Sequence, residues 1–243
     1  MADARHIRFL ASVRSEDEAR LALAGGADII DCKEPAAGAL GALPHHVVAD
    51  IRRALPAYVP VSATVGDLPC EPAALCDAAR EMANTRVDYV KVGMFPGGDA
   101  RAAIAALGRL DLQASRLVAV LFADDAPNLA LIEDLAAARF AGVLLDTAHK
   151  DSGSILDHMT PPQLAQFVAA ARARGLFAGI AGSLRLEHVA SLRALTPDIM
   201  GFRGALCAGS QRKGALDLLA VKAIGRALGG SAYTQPAPEA LAS

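Results

Sequence analysis

The sequence predicts an α/β protein folded as one (β/α)8 TIM barrel. Eight apolar segments are each followed by a segment with helical spacing of its apolar residues, and this cycle repeats about every 28 residues. The apolar segments are apolar on both faces, as a parallel sheet covered by helices requires. An open doubly wound sheet is the alternative, but no Gly-x-Gly-x-x-Gly turn follows the first predicted strand.

The predicted strands and helices alternate along the chain. The strands cover residues 6–13, 28–33, 58–65, 87–93, 116–122, 141–146, 176–181 and 198–203. The helices cover about 16–24, 45–55, 71–84, 99–109, 127–138, 161–174, 186–194 and 214–228. We therefore assign the barrel to residues 1–228 and predict a flexible tail over 229–243, which contains Gly, Ser and two prolines.

Local signals mark several of these boundaries. Ser15 and Glu18 form a capping-box pattern at the start of the first helix, and Gly25-Gly26 is typical of its end. Phe95-Pro-Gly-Gly98 indicates a loop, and the segment 147–153 indicates a long polar loop after the sixth strand.

Composition excludes several classes of function. The net charge of −2 and the absence of a long apolar run argue against nucleic-acid and membrane partners. The four cysteines are not spaced as metal ligands, and no His, Asp or Glu cluster is, so no metal site is predicted. Residues 1–6 lack a signal-peptide pattern, which predicts a reduced cytoplasmic protein.

Lysine is scarce in this chain. There are 24 basic residues, of which five are lysines and the remaining 19 are arginines. A lysine can lose its proton when it is buried or crowded by cations and then act as a nucleophile or base, which arginine cannot do. Three of the five lysines, Lys33, Lys91 and Lys150, lie at or just beyond predicted strand ends.

Active sites of this fold lie at the carboxyl ends of the strands. The polar residues at those positions are Ser12, Asp31, Lys33, Ser62, Thr64, Lys91, Asp146, Lys150, Ser183 and Arg203. Alternate residues of a strand share a face, so Asp31 and Lys33 are expected to point the same way. Lys91 lies within an apolar strand, and a position at the mouth of the barrel avoids a large desolvation penalty.

Lysines that converge with aspartates point to Schiff-base chemistry on a carbonyl substrate. One of the lysines would act as the amine, and the neighbouring lysines and aspartates would carry protons. The alternative is an internal salt-bridge network that only fixes the barrel, although such networks seldom add net stability. The residues alone do not select the lysine that forms the imine.

Small residues after the last two strands predict an anion site. Gly182-Ser183 and Gly204-Ala205 lie where this fold commonly binds phosphate, and a following helix N-terminus would add its dipole. Arg203 could supply charge there or form an ion pair at the strand end. We also expect Ser12, Ser62 and Thr64 to contact the substrate, and His149 to be a solvated loop residue.

The chain resembles the (5-formylfuran-3-yl)methyl phosphate synthase family. The resemblance extends to about residue 228 and rests on segments that occur in the family's order. They are Gly25–Lys33, Ser62–Asp67, Asp88–Gly93, Leu145–Asp151, Asp157–Thr160, Ala181–Ser183 and Gly201–Ala205.

The resemblance implies an activity and residue roles. The family condenses two molecules of glyceraldehyde 3-phosphate, with loss of phosphate and water, in methanofuran-type biosynthesis, without a metal or organic cofactor. By this resemblance Lys33 forms the Schiff base, Lys91 accepts a proton, and Asp31, Asp146 and Lys150 complete the catalytic set. The substrate partner would be a phosphorylated triose.

Two other functions remain open from the sequence. One is a class I aldolase or phosphosugar isomerase on the same barrel. The other is a non-catalytic barrel that binds a phosphorylated metabolite, against which the scarcity of lysine argues, because phosphate binding could have used arginine. Helices rich in exposed Ala and Leu favour a homo-oligomer.

Overall fold

The computed structural model describes residues 6–149 and 151–229. Eight parallel strands close into a barrel in the order β1-β10-β9-β8-β7-β5-β3-β2, and β2 pairs with β1. The barrel strands are β1 (Arg8–Val13), β2 (Ile29–Cys32), β3 (Val61–Thr64), β5 (Tyr89–Gly93), β7 (Arg116–Phe122), β8 (Gly142–Asp146), β9 (Phe177–Ile180) and β10 (Ile199–Phe202). The predicted (β/α)8 fold is therefore confirmed.

Helices connect the barrel strands. They are α1 (Glu16–Ala24), α2 (His45–Ala54), α3 (Pro72–Ala83), α4 (Ala100–Leu107), α5 (Leu131–Ala137), α6 (Ile155–His158), α7 (Pro161–Ala173), α8 (Val189–Arg193) and α9 (Leu218–Ala227). Three 3-10 helices cover Leu186–His188, Gly204–Leu206 and Ala208–Ser210. The side chain of Ser15 accepts the Glu18 N–H at the start of α1, as the capping pattern predicts.

The structure departs from the sequence-based assignment in three places. Residues 95–98, predicted as a loop, form β6 (Phe95–Gly98), which pairs with β4 (Pro69–Cys70) outside the barrel. Neither Pro69-Cys70 nor Phe95-Pro-Gly-Gly98 shows the apolar run that identifies a strand in the sequence, which explains why the prediction was wrong. The helix predicted over 186–194 begins as a 3-10 turn, and α6 was not predicted. The predicted tail lies, except for Gly229, outside the described residues.

Apolar side chains fill the lower part of the barrel interior. Leu10, Ile29 and Ile199 form one cluster with Phe177, and a second cluster on the facing wall includes Val118, Val120 and Leu144. Gly142 provides the space for the Phe177 ring, since a Cβ at this position would lie 2.2 Å from it. These side chains leave a space of about 10 Å³ between them, and the larger cavity of the barrel lies toward the carboxyl ends of the strands.

The strand register places the polar residues side by side at the upper end. Asp31 pairs with Ser12 on one side and with Ser62 on the other, while Thr64 pairs with Lys91. Because neighbouring parallel strands present the same face at paired positions, these side chains form one ring above the apolar floor. The ring is the base of the candidate site.

Candidate active site

A cavity of about 320 Å³ opens at the carboxyl ends of the barrel strands. Ser12, Asp31, Lys33, Lys91 and Asp146 line its floor. The loops after β9 and β10 line its wall through Gly182, Ser183, Arg203, Gly204 and Ala205. The structure therefore brings together most of the residues that the strand-end argument selected.

Asp31 is a fully buried carboxylate that accepts three hydrogen bonds. The Ser12 Oγ donates to its Oδ2 at 2.8 Å, and the Ser62 Oγ and Lys91 Nζ donate to its Oδ1 at 2.6 Å and 2.9 Å. Side-chain exposure is 5% for Lys91 and 0% for Asp31. A buried ion pair needs such additional donors, because they replace the water that the carboxylate has lost. The arrangement holds the Lys91 amine at one position on the cavity floor.

A second lysine–aspartate pair lies beside the first. Lys33 Nζ lies 3.5 Å from Asp146 Oδ2, and both side chains are 7% exposed. The Asp146 Oδ1 accepts the N–H of Thr147 at 2.8 Å, which fixes the carboxylate. Lys33 follows β2 directly, whereas Asp146 ends β8 across the barrel. The barrel closure therefore assembles one amine and one carboxylate from residues far apart in sequence.

Lys150 lies outside the described residues, so its proposed role stays a prediction. The loop that contains it is anchored by Asp124, whose carboxylate accepts the N–H groups of Ala148 and His149 at 2.7 Å each. The Asp124 side chain is 3% exposed, while that of His149 is 78% exposed. His149 is thus a solvated loop residue, as predicted.

The Asp124 anchor predicts a pH dependence. Burial would raise the pKa of Asp124, but the backbone donors Ala148 and His149 outweigh it, so the pKa lies below the ordinary value of 3.8. A lowered folded-state pKa stabilises the anchored loop above pH 3.8, and this stabilisation is lost as pH falls through the lower value. Hydrogen exchange measures this effect. When the pH is lowered through the pKa of Asp124, the protection factors of the Ala148 and His149 amides should fall, because the protonated carboxyl is a weaker acceptor.

Two variants check this assignment. Asp124→Ala should remove the protection of the two amides at neutral pH, because the loss of a charged acceptor leaves both N–H groups open to solvent. The exposed neighbour provides a matched control, and Asp125→Ala should leave the protection unchanged. Equal protection in Asp124→Ala and the unaltered chain would contradict the anchor.

The loops after β9 and β10 bring small residues to the cavity wall. Gly182 has φ +100°, and a Cβ there would lie 3.1–3.2 Å from Thr147 and Ile155. Gly204 and Ala205 begin a 3-10 helix, so their N–H groups have no helical carbonyl to bind. The expected helix dipoles are weak, because short 3-10 turns follow both strands instead of long α-helices.

Two residues predicted to bind substrate have their polar groups engaged by the protein. The buried Thr64 hydroxyl donates to Gly41 O at 3.0 Å and does not line the cavity. Arg203 donates to Glu18 and to the backbone oxygens of Ser12, Arg212 and Gly214. All five guanidinium N–H groups are thus used, and the structure favours the ion-pair role of Arg203 over phosphate binding.

The Arg203–Glu18 pair leads to a stability prediction. The two side chains are 6% and 9% exposed. Glu18→Ala would leave the guanidinium buried without its counter-ion, which should lower the free energy of unfolding by about 3–5 kcal/mol. Glu16 on the same helix is the matched control, since its pair with Arg20 is exposed and Glu16→Ala should cost about 1 kcal/mol or less. Urea unfolding of both variants measures the difference, and equal losses would contradict the prediction.

Three charged residues that line the cavity were not identified from the sequence. Asp151, Arg185 and Arg212 line the cavity together with the predicted residues. Arg185 lies three residues beyond Gly182, so an extension of the phosphate-loop argument could have included it. Arg212 lies in a segment between two helices, where no periodicity marks it, and only the tertiary structure places it at the site.

The described residues contain no group of three or more His, Cys, Asp or Glu side chains arranged to hold a metal ion. The four cysteines are buried and free of disulfides. Burial raises the pKa of the Cys32 thiol well above its ordinary value. Across the described segments, no helix combines the length and apolar character needed to cross a bilayer.

Solved structures of similar fold include an isomerase and a synthase. A phosphoribosyl anthranilate isomerase from Thermus thermophilus matches 92% of this chain and 98% of its own, with a TM-score of 0.65 and 17% identity. The 3-hexulose-6-phosphate synthase from Salmonella typhimurium matches 91% of this chain and 98% of its own, with a TM-score of 0.67 and 15% identity. At such identities the likeness shows the fold alone.

Relatives identified by sequence share a higher identity with this chain than these two solved structures do. The (5-formylfuran-3-yl)methyl phosphate synthase of Methanocaldococcus jannaschii is 37% identical over 226 residues, which cover 88% of this chain and 96% of the relative. A Methylorubrum extorquens protein that carries the same enzyme name provisionally is 43% identical over 215 residues, 86% of each chain. The family model described as 4-HFC-P synthase matches residues 9–225. Given this match over nearly the whole barrel, the chain belongs to the 4-HFC-P synthase family.

Proposed function

We propose that this chain condenses two molecules of glyceraldehyde 3-phosphate to (5-formylfuran-3-yl)methyl phosphate through a Schiff base on Lys33. The observation that carries the proposal is the pair of buried lysine–aspartate contacts, Lys33–Asp146 and Lys91–Asp31, on the floor of one cavity in a barrel of this family. The product would serve methanofuran-type biosynthesis. Overall, two molecules of glyceraldehyde 3-phosphate lose one phosphate and two water molecules to give this product.

Lys33 is the amine in the first step. Its neutral Nζ attacks the substrate carbonyl, and the carbinolamine loses water to give a protonated imine. Asp146, 3.5 Å away, would take one proton from the attacking nitrogen and return it to the departing hydroxyl. The carbonyl oxygen would take its first proton from the ammonium of Lys91, which lines the same cavity. The positive charge of the imine then lies against a carboxylate rather than in an apolar wall, which stabilises the intermediate.

Lys91 is the base for the adjacent carbon. The protonated imine draws electrons from this carbon, so that its C–H can be removed. Lys91, left neutral after its ammonium has protonated the carbonyl oxygen, accepts this proton, and the ammonium that forms again is stabilised by Asp31 at 2.9 Å. Ser12 and Ser62 keep the carboxylate aimed at the amine, so little reorganisation accompanies the transfer.

The enamine then carries the carbon–carbon bond formation. Its nucleophilic carbon attacks the aldehyde of the second triose phosphate, one phosphate leaves by β-elimination, and ring closure with dehydration gives the furan. Release of the imine by water regenerates Lys33. The backbone around Gly182 and Gly204 is placed to hold one phosphate while these bonds change.

Product analysis tests the proposal. The purified chain with glyceraldehyde 3-phosphate should form a furan aldehyde, visible by its ultraviolet absorption, together with one inorganic phosphate for each furan. A class I aldolase would instead catalyse reversible cleavage of a six-carbon sugar phosphate without phosphate release. A binding protein would form no product. Reversible cleavage, or binding without turnover, would overturn the proposal.

A further inference from the structure

Arg212 lies on the wall between two cavities. It lines the catalytic cavity and also a wider outer cavity of about 780 Å³. The outer cavity is lined by β6 and by the segments after β2, β3, β7, β8 and β10. Among the described residues, Asp151 is the other one that borders both spaces. A side chain at this position can contact a molecule in the outer cavity whose reactive end reaches the catalytic floor.

The guanidinium of Arg212 is held in place but has donors to spare. Its Nη2 donates to Gly38 O at 3.1 Å, and this is its one recorded side-chain hydrogen bond within the described segments. The side chain is half-buried. Arg203, by contrast, uses all of its donors within the protein. Arg185 lines the catalytic cavity but does not border the outer one. Arg212 is thus the arginine between the two cavities whose remaining fork can bind a planar pair of anion oxygens.

Two adjacent cations, Arg212 and Lys213, line the outer cavity together with three carboxylates, those of Asp67, Asp125 and Asp151. Asp67 has both oxygens engaged by the N–H groups of Ala39 and Leu40. Asp125 and Asp151 are exposed and can be screened by water. Burial lowers the pKa of Arg212, with the nearby charge of Asp146 acting against it. An anion beside the guanidinium would offset that loss of solvation.

We propose that Arg212 binds the phosphate of the second triose phosphate, which enters through the outer cavity while the first is held as an imine on Lys33. This proposal rests on the proposed function, which needs two triose phosphates in one site. The catalytic cavity, at about 320 Å³, is near the lower limit for a small-molecule site and has its own anion-binding loops. Entry from the outer cavity would bring the aldehyde of the second triose to the enamine.

A binding count tests the proposal without turnover. The probe is glycerol 3-phosphate, which has the phosphate ester but no carbonyl and so cannot form an imine. By isothermal titration calorimetry, the unaltered chain should bind two molecules per chain and Arg212→Met one. Arg174→Met is the matched control, because Arg174 pairs with Glu133 on the outer surface, and it should still bind two. One molecule in the unaltered chain, or two with unchanged affinity in Arg212→Met, would overturn the proposal.

A second variant guards against a folding defect, since the bond to Gly38 O is lost in Arg212→Met. Arg212→Lys keeps a cationic donor but loses the fork, and it should bind the second molecule about tenfold more weakly with an unchanged first site. Circular dichroism checks the fold of both variants. Unchanged affinity at both sites in Arg212→Lys and Arg212→Met would exclude the contact. The number of glycerol 3-phosphate molecules bound per chain is measured without turnover. Failure of this proposal can therefore be told apart from failure of the proposed function.

Kinetics provide the readout that a purely structural role would not give. Two concentrations of glyceraldehyde 3-phosphate are compared between Arg212→Met and the unaltered chain. The concentration that gives half-maximal product formation should rise about tenfold or more in Arg212→Met. The concentration that gives half-maximal borohydride labelling of Lys33 should change less than about twofold. If both concentrations rose equally, Arg212 would bind the first substrate molecule or only support the fold, and the proposal would be overturned.

Discussion

Lys33→Arg is expected to abolish product formation while the barrel remains folded. Arginine keeps the positive charge beside Asp146 but has no amine that can form an imine, so the covalent route is lost. We expect kcat to fall by on the order of 10⁴-fold or more, as for the loss of other covalent nucleophiles. The rate of phosphate release from glyceraldehyde 3-phosphate measures this.

The chain offers a matched control for this substitution. Lys222 is exposed on α9, away from the cavity, and Lys222→Arg should leave the rate unchanged. Borohydride reduction in the presence of substrate should add the triose mass to the peptide that contains Lys33, and this label should be absent from Lys33→Arg. A label on Lys91 instead, or substantial turnover by Lys33→Arg, would show that a different lysine forms the imine.

Asp31→Ala should strongly destabilise the fold. The substitution leaves Lys91 as a buried cation without its carboxylate, and removes the acceptor of Ser12 and Ser62. Removal of one partner of a buried pair lowers the free energy of unfolding by about 3–5 kcal/mol. For a chain of this size that corresponds to a melting temperature lower by about 6–20 °C. Thermal unfolding followed by circular dichroism measures the change.

A double variant separates the stability of the pair from its chemistry. Asp31→Ala combined with Lys91→Met removes both charges, and it should recover about 1–3 kcal/mol of the loss, because no unpaired ion remains. Turnover should stay absent, since the proposed proton acceptor is gone. If Asp31→Ala were as stable as the unaltered chain, the buried ion pair would not contribute as the distances indicate.

The eight barrel strands could be predicted because their signal is local. Each is a short apolar run with a turn residue at its end, and 116–122 was predicted with the bounds that the structure gives. The scarcity of lysine drew attention to Lys33 and Lys91, and the fold then placed strand ends at one mouth. The pair β4 and β6 was missed because Pro69-Cys70 and Phe95-Pro-Gly-Gly98 contain proline and glycine, which indicate a loop rather than a strand.

The sequence by itself determined the fold class, the family and the residue types at the mouth of the barrel. Only the tertiary structure decided which of them meet. Ser12, Asp31, Ser62 and Lys91 form one network because the ladder register pairs their strands. Arg203 is an ion-pair partner of Glu18, and Arg212 faces the cavity, although both are arginines near the end of β10. Local pattern fixes the element in which a residue lies, whereas its partners depend on closure of a barrel whose strands come from the whole length of the chain.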